Sequence, residues 1–457
     1  MQKSIFREYD IRGVVERDLT PEVVCAIGQA VGSLAGERGE DTVIVARDGR
    51  LSSPALCTAL KTGIQAAGLN VLDLGTIPTP LLYYATHILG ASQAGVMVTG
   101  SHNPPQYNGL KIVIDKIALH GAVIRDLRRR IETGDLRYGQ GCERTADIRS
   151  DYTNRLAAAL PLSRPYKVVI DCGNAIAAET APTLFQALGC EVVKLYCEVD
   201  GRFPHHHPDP SAPENLADLQ VAVGHHQADI GLAFDGDADR LGVVTNTGEI
   251  IWPDRVLMPL AEEVLTHHPG AGVVYDVKCS WHLTRLIERL GGQPIPCKTG
   301  HSLIKAKMRE TGALLGGEMA GHFVHADDWF GFDDAFYAAA RLLRLLATHR
   351  CSSAEFFATY ATSLNTPELR IDMAEGEPTA LMARLSAQID FGPDARMITL
   401  DGLRAEFPHG WGLVRASNTT PSLTLRFEAD NAAALCDIQN RFRRSLLAVQ
   451  ADLILPF

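Results

Sequence analysis

Gly95-Val96-Met97-Val98-Thr99-Gly100-Ser101-His102-Asn103-Pro104-Pro105 decides how this chain is read, because an apolar run stops abruptly in small and polar residues. The pattern predicts a buried strand that delivers a serine into a loop. Pro104 and Pro105 fix φ and remove two N–H donors, so neither a helix nor a central strand continues through them. Asn108-Gly109 then supplies a turn. Ser101 is expected to be held rigidly with its hydroxyl exposed. It can then act as a nucleophile or carry a phosphate, provided cations, oriented donors and a base are brought to it. An ordinary turn after a buried strand has the same local pattern, so the decision rests on the rest of the chain.

A second apolar run, Ile230-Gly231-Leu232-Ala233, leads into Phe234-Asp235-Gly236-Asp237-Ala238-Asp239-Arg240. Asp235, Asp237 and Asp239 stand at alternate positions, and carboxylates this close repel one another unless a cation lies among them. An extended loop aims all of them at one ion. Hard oxygen ligands with few neutral donors suit Mg²⁺, which often completes its octahedron with a phosphate oxygen. Calcium in an EF-hand-like loop is the competitor. Against it, Arg240 stands where glycine is needed, and Gly248-Glu249 falls too far along for the closing glutamate. Without a metal, the segment is a solvated acidic turn.

Outward from these stretches the pattern alternates. Strands are predicted over 43–46, 71–74 and 110–114, with helices over 52–67, 78–89 and up to residue 131. Val43-Ile44-Val45-Ala46-Arg47-Asp48 is echoed by Val168-Val169-Ile170-Asp171 and Val273-Val274-Tyr275-Asp276. Strand, acid, loop and helix recur, which indicates internal duplication. Parallel strands with right-handed helical crossovers would place ligand groups at the strands' carboxyl ends. From about Thr366 the pattern changes to two strands around 410–415 and 423–427 and a final helix over 432–449. The expected fold is α/β: three similar βαβ-type domains with mixed sheets plus a C-terminal α+β domain, around a central cleft. The expected boundaries are 1–149, 150–250, 251–363 and 364–457.

A chain of 457 residues fits three or four domains. Its 46% hydrophobic and 21% charged content is that of a soluble protein, and no apolar run is long enough for a membrane span. The net charge of −11 argues against nucleic acid as a partner. It leaves room for a small phosphorylated ligand in a locally basic cleft. The ten cysteines show no paired framework and the first residues have no signal-peptide pattern, so a cytoplasmic protein with reduced thiols is expected.

Three further stretches bear on chemistry. His205-His206-His207 lies in a proline-rich loop and suggests zinc, but adjacent histidines point in different directions and the ligands are unspaced, which favours a structural role. Glu318 and His322, in Gly317-Glu318-Met319-Ala320-Gly321-His322, could reach one ligand. A carboxylate flanked by glycine can accept from two adjacent sugar hydroxyls. Arg415, with Ser417, Asn418, Thr419 and Thr420, offers a guanidinium, hydroxyls and backbone N–H groups: a phosphate cradle, or else a hydroxyl-rich hairpin.

The chain resembles the α-D-phosphohexomutases of the bacterial phosphomannomutase/phosphoglucomutase type, nearly end to end. The resemblance is carried in family order by Phe6-Arg7-Glu8-Tyr9-Asp10-Ile11-Arg12-Gly13, Thr99 to Pro104, Asp235 to Arg240, Gly317 to His322, and Arg415-Ala416-Ser417-Asn418-Thr419-Thr420-Pro421. It implies that a phosphate on Ser101 passes to a hexose 1-phosphate of mannose or glucose. The resulting 1,6-bisphosphate, also the activator, turns over and returns its other phosphate to Ser101. It implies that Asp235, Asp237, Asp239 and the Ser101 phosphate share one Mg²⁺. Lys111, His102 and Arg240 are then the unranked candidates for acid/base work. Glu318, Ala320, His322, His301 and Lys278 face the sugar, Tyr9 and Arg12 line the cleft, and the Arg415 loop holds the second phosphate on a mobile fourth domain.

A monomer is expected. Ala238 replaces the family's usual glycine, so the acidic loop should be reachable without a positive φ there, and Ala320 replaces the usual serine. The rival readings are a phosphoglucosamine mutase, a Mg²⁺-dependent sugar phosphatase and an inactive phosphosugar sensor. Asn418 stands where the glucosamine branch commonly has glycine, a hydrolase would not need the Arg415 cradle, and a sensor would not need Ser101 with all three aspartates.

Overall fold

The computed structural model describes residues 2–374, 376–389, 391–417 and 420–457, arranged in four sheets. In the first, Thr42–Arg47 runs parallel to Asn70–Thr76 and to Gly95–Val98, whereas Tyr107–Ile114 returns antiparallel to Gly95–Val98. In the second, Lys167–Asp171 is parallel to Glu191–Leu195 and Ile230–Phe234, and Leu241–Thr245 returns antiparallel to Ile230–Phe234. In the third, Gly272–Asp276 is parallel to Gln293–Cys297 and Leu315–Gly317, and Phe323–His325 returns antiparallel.

The duplication read from the strand-acid repeats is therefore a duplicated sheet. At one corresponding place in each sheet no helix intervenes between successive strands, which makes the sheets mixed, as expected. The strands that carry the Ser101, Asp235 and Glu318 loops turn straight back as hairpins, because connections this short fall below the roughly dozen residues a parallel crossover needs. These are mixed sheets, and the three loops occupy the same topological position.

The fourth sheet is antiparallel throughout. Ser422–Ala429 pairs with Gly410–Ala416, which pairs with Leu403–Phe407, and the helices Glu377–Gln388 and Ala432–Val449 cover it. The short strands Leu364–Asn365, Leu369–Asp372 and Arg396–Ile398 extend this sheet beyond the two strands expected.

One continuous apolar core joins the first three sheets, running from Ile44 to Phe357. Against it the partly buried Trp329 stacks between Tyr84, at 5.9 Å, and Tyr337, at 4.6 Å. The Tyr152 hydroxyl donates to Asp334 at 2.8 Å, Trp329 Nε1 donates to the same carboxylate at 3.0 Å and the Tyr84 hydroxyl donates to Asp151 at 2.6 Å. The fourth sheet has its own core around Leu385, Leu425, Phe427 and Phe442. It meets the third sheet through Val277, Trp281, Trp411 and Leu413, flanked by an Arg426–Asp254 pair at 3.0 Å and a Ser280–Glu428 hydrogen bond at 2.6 Å. Among the described residues no helix is long and apolar enough to cross a membrane.

Candidate active site

Ser101 adopts φ 49°, a left-handed conformation that costs free energy unless its surroundings impose it. They do so through a residue the sequence reading missed. The buried guanidinium of Arg50 donates to the carbonyls of Ser101 (2.6 Å), Asn103 (2.5 Å), Pro104 (2.7 Å) and Tyr107 (3.1 Å) while paired with Asp48. Asp48 in turn accepts from the Thr99 hydroxyl, and Thr99 Oγ1 accepts from the Ser101 N–H, both at 2.8 Å. The planar fork of arginine suits this convergence of carbonyls.

The expected exposure of the hydroxyl is corrected: Ser101 is only 1% exposed. The acidic loop closes over it, with Ser101 Oγ donating to Asp235 Oδ2 at 3.1 Å and lying 3.2 Å from His102 Nδ1. Burial, and then the charges of Arg240 and Arg12, push His102 well below the ordinary histidine range, so its imidazole is neutral. Gly236 makes the approach of the two loops possible, since a Cβ there would overlap the Ser101 carbonyl oxygen.

Asp235, Asp237 and Asp239 are fully buried, and each offers an oxygen within 4.8 Å of the others. Lys111 donates to both Asp237, at 2.6 Å, and Asp239, and Thr79 donates to Asp237 at 2.5 Å. Burial lowers the Lys111 ammonium, but the three aspartates more than offset this and hold it charged. Burial and the charges of Asp237 and Asp239 push the Asp235 carboxyl well up, a penalty that a cation among the three would relieve. Asp237 Oδ1 and Asp239 Oδ1 are buried without a hydrogen-bond partner among the described residues. Spare hard oxygens converging in a buried site fit a small divalent cation.

The expectation for Ala238 is overturned. It adopts φ 63°, and its N–H donates to the Asp235 carbonyl at 3.1 Å. The turn that points all three carboxylates inward demands a left-handed residue, and this chain bears the Cβ penalty there.

The third loop is wired to the second. Arg240 Nε donates to His322 Nε2 at 3.0 Å, and His322 Nδ1 faces Asp333 Oδ2 at 3.1 Å and Asp239 Oδ1 at 3.5 Å. His301 Nδ1 lies 3.0 Å from the same Asp333 oxygen, Lys305 binds the other at 2.5 Å, and the rings of His301 and His322 stack at 5.0 Å. Asp333, which the sequence reading also missed, therefore sets both histidines. Burial raises its carboxyl, but Lys305 and His301 pull it well below the usual range.

Glu318 accepts from the Gly300 N–H at 2.9 Å. Burial alone would raise it, yet His322, Lys278 and His301 leave it below its ordinary value, so it is a carboxylate. Ala320 lies half-buried in the adjoining turn. Tyr9 packs edge-on against His301 at 5.4 Å, and burial followed by Asp10 pushes its hydroxyl up to about 12. Arg12 pairs with Asp10 at 2.6 Å and donates to Asn103 at 2.5 Å.

Lys278 reaches across to Glu368 at 3.1 Å and sits 3.7 Å from Asp276, tying the third sheet to the fourth-sheet segment. In the hairpin loop of the fourth sheet, Arg415 Nε pairs with Asp401 at 2.9 Å, while its buried Nη2 has no hydrogen-bond partner among the described residues. The Thr420 hydroxyl donates to Ser417 Oγ at 3.1 Å. Asn418 and Thr419, assigned to the same cradle, lie outside the described residues. A cavity of 510 Å³ separates this loop from Arg7, Arg125 and Arg128 of the first unit. His205, His206 and His207 do not converge on one point: His205 bonds Asn174 at 2.6 Å and His206 bonds Asp171 at 3.0 Å.

Three mixed α/β units and an antiparallel fourth, with a serine, three aspartates, a glutamate–histidine loop and an arginine loop on their hairpins, have the architecture and residue set of an α-D-phosphohexomutase. Successive segments match Phosphoglucomutase/phosphomannomutase alpha/beta/alpha domains I (residues 3–137), II (150–248) and III (252–362) and the C-terminal domain (368–445). The chain belongs to the phosphoglucomutase/phosphomannomutase family.

It is 51% identical over 454 residues to a phosphomannomutase/phosphoglucomutase of Pseudomonas aeruginosa, covering 99% of this chain and 98% of that one. It is 46% identical over 457 residues to a phosphoglucomutase of Neisseria meningitidis, covering 99% of each. A crystal structure of a family protein from Burkholderia thailandensis superposes with a TM-score of 0.95 at 47% identity, covering both chains completely.

Proposed function

We propose that this chain interconverts the 1- and 6-phosphates of mannose and glucose through a phosphorylated Ser101 and a bound hexose 1,6-bisphosphate, which also serves as activator. The observation that carries the reading is the convergence of Ser101 Oγ on Asp235 at 3.1 Å, inside a buried set of carboxylates with spare oxygens. In the first transfer the Oγ–P bond breaks as phosphorus bonds to the sugar hydroxyl, and Ser101 ends with that hydroxyl's proton. In the second, Ser101 Oγ bonds to the other phosphorus, and its proton leaves with the freed sugar oxygen. His102 Nδ1, neutral and 3.2 Å away, is placed to relay a proton on and off Oγ. Lys111 and Arg240 face the transferring group as fixed positive charges.

Asp235, Asp237 and Asp239 would hold one Mg²⁺ beside the Ser101 phosphate. Magnesium held there would supply positive charge to offset the negative charge building on the phosphoryl oxygens. Glu318 accepts from sugar hydroxyls, His301, His322, Lys278 and the Ala320 turn bound the sugar, and Tyr9 and Arg12 close the cleft beside it. Arg415 Nη2, partnerless among the described residues, takes the far phosphate with Ser417, Asn418, Thr419 and Thr420, where a bidentate guanidinium contact is strongest. Four domains divide the work: 1–149 presents the serine, 150–250 the metal ligands, 251–363 the sugar loop and 364–457 the phosphate cradle. The last of these closes over the substrate and protects the phosphoryl group from water. The enzyme acts as a monomer in the cytoplasm.

Ser101→Ala tests the phosphoserine. It is expected to abolish turnover while hexose 1-phosphate binding, followed calorimetrically, stays within about threefold of wild type, since the cradle and sugar loop are untouched. Undiminished turnover would remove Ser101 from the reaction.

A further inference from the structure

We propose that Cys172 and Cys197 form a reversible redox pair whose closure to a disulfide slows turnover by loosening the support beneath the Ser101 loop. The two sulfurs lie 3.3 Å apart, at the ends of the neighbouring parallel strands Lys167–Asp171 and Glu191–Leu195. Cys172 is buried and Cys197 only partly so, the arrangement of an attacked thiol backed by a resolving one. Hydrogen bonding to Cys172 holds the Cys197 thiol below its ordinary value. Burial instead pushes the thiols of Cys57, Cys190 and Cys297 up to about 11. Cys197 is thus the more ready nucleophile.

A disulfide needs the sulfurs at about 2.05 Å, so closure shifts both cysteine side chains and loads the backbone at the two strand ends that carry them. Those ends are tightly pinned. Asn174 and Tyr196 both adopt left-handed φ, the Asn174 N–H donates to the Tyr196 carbonyl at 2.9 Å, and Tyr196 stacks on His205 at 3.9 Å. The chain leaving Cys197 then presses on the first unit. Gly201 packs against the Arg50 backbone, and the ring of Phe203 lies 5.2 Å beneath the Arg50 guanidinium. Arg50 is the residue that holds the Ser101 loop, so movement at the cysteines reaches the serine through a short chain of packed groups.

The oxidant is a hydroperoxide. The Cys197 thiolate attacks one peroxide oxygen, the O–O bond breaks, and the other oxygen leaves as hydroxide or alkoxide to be protonated. The Cys172 sulfur then attacks the resulting sulfenic sulfur, the S–S bond forms, the S–O bond breaks and water departs with the Cys172 proton. Two thiols lose two electrons to one peroxide, and a dithiol reverses the change.

The test is titration of the full-length protein with hydrogen peroxide, read by peptide mapping and by mutase turnover before and after dithiothreitol. The expected result is a peptide cross-linked between Cys172 and Cys197, a several-fold fall in kcat with little change in KM, and recovery with dithiothreitol. Cys197→Ser and, separately, Cys172→Ala should keep their starting turnover through the same titration. Absence of the cross-link while both thiols remain titratable overturns the pair. A quantitative cross-link with unchanged kcat overturns its coupling to the serine. The mapping does not depend on the proposed mutase activity and the kcat readout does, so failure of that reading is told apart from failure of this one.

Discussion

At the scale of single residues the site rests on two strained backbones, one in each of two loops that meet where Gly236 packs on the Ser101 carbonyl. Ser101 and Ala238 are both left-handed, one beneath the hydroxyl and one in the middle of the aspartates. The account expects Ala238→Gly to stabilise the fold by about 1 kcal/mol, because glycine removes the Cβ penalty, less a share returned to the more flexible unfolded chain. A denaturant titration at constant m-value checks this, and a loss of stability would show that the Ala238 methyl contributes more by packing than it costs by strain. The fold brings Ser101, His102 and the three aspartates together, and their stretches stand out in the sequence because each signal is local: an apolar run, then a polar residue. Arg50 and Asp333 do not stand out. The carbonyls Arg50 collects belong to residues more than fifty positions along the chain, and nothing in Arg47-Asp48-Gly49-Arg50 announces them. Asp333 serves two histidines and a lysine that only the folded third unit brings beside it.

At the scale of elements the serine loop is a clamped structure rather than a flexible one. Arg50→Lys keeps the charge but can satisfy only part of the converging carbonyls, leaving others buried and unpaired. It is expected to lower kcat by about tenfold or more, with KM changed far less, since misplacing the serine harms the transfer before it harms sugar binding. Steady-state kinetics decide this, and an equal rise in KM at constant kcat would mean that Arg50 supports substrate binding instead. The strands of the first unit were readable to within a few residues from their apolar runs. Mixed sheets were expected, but the returning strands Leu241–Thr245 and Phe323–His325 were not placed, because an apolar strand reads alike in parallel and antiparallel neighbourhoods. Ala238 was misjudged for a related reason: a preference against positive φ is weak evidence when buried carboxylates dictate the turn.

At the scale of the whole molecule, three sheets share one core and the fourth sheet sits against them through a narrow, mixed interface. Arg426 is central to it, pairing with Asp254 and donating to the Lys278 carbonyl while buried. Arg426→Ala would leave Asp254 buried and unpaired, at about 3–5 kcal/mol. Calorimetry should then show the fourth unit melting ahead of the rest, and a single unshifted transition would show that the apolar patch alone holds it. The separate C-terminal α+β unit was legible from its change of pattern near Thr366. Its seating on the third unit was not, because its contacts pair residues far apart in the chain, Asp254 with Arg426 and Ser280 with Glu428.

The central claim is that phosphate moves between two positions of one sugar. Phosphorus NMR of the purified protein with Mg²⁺ and a trace of glucose 1,6-bisphosphate, given mannose 1-phosphate and glucose 1-phosphate separately, follows that directly. The account predicts that each 1-phosphate resonance decays into the corresponding 6-phosphate with no inorganic phosphate formed. Release of inorganic phosphate, or unchanged spectra for both sugars, would contradict it.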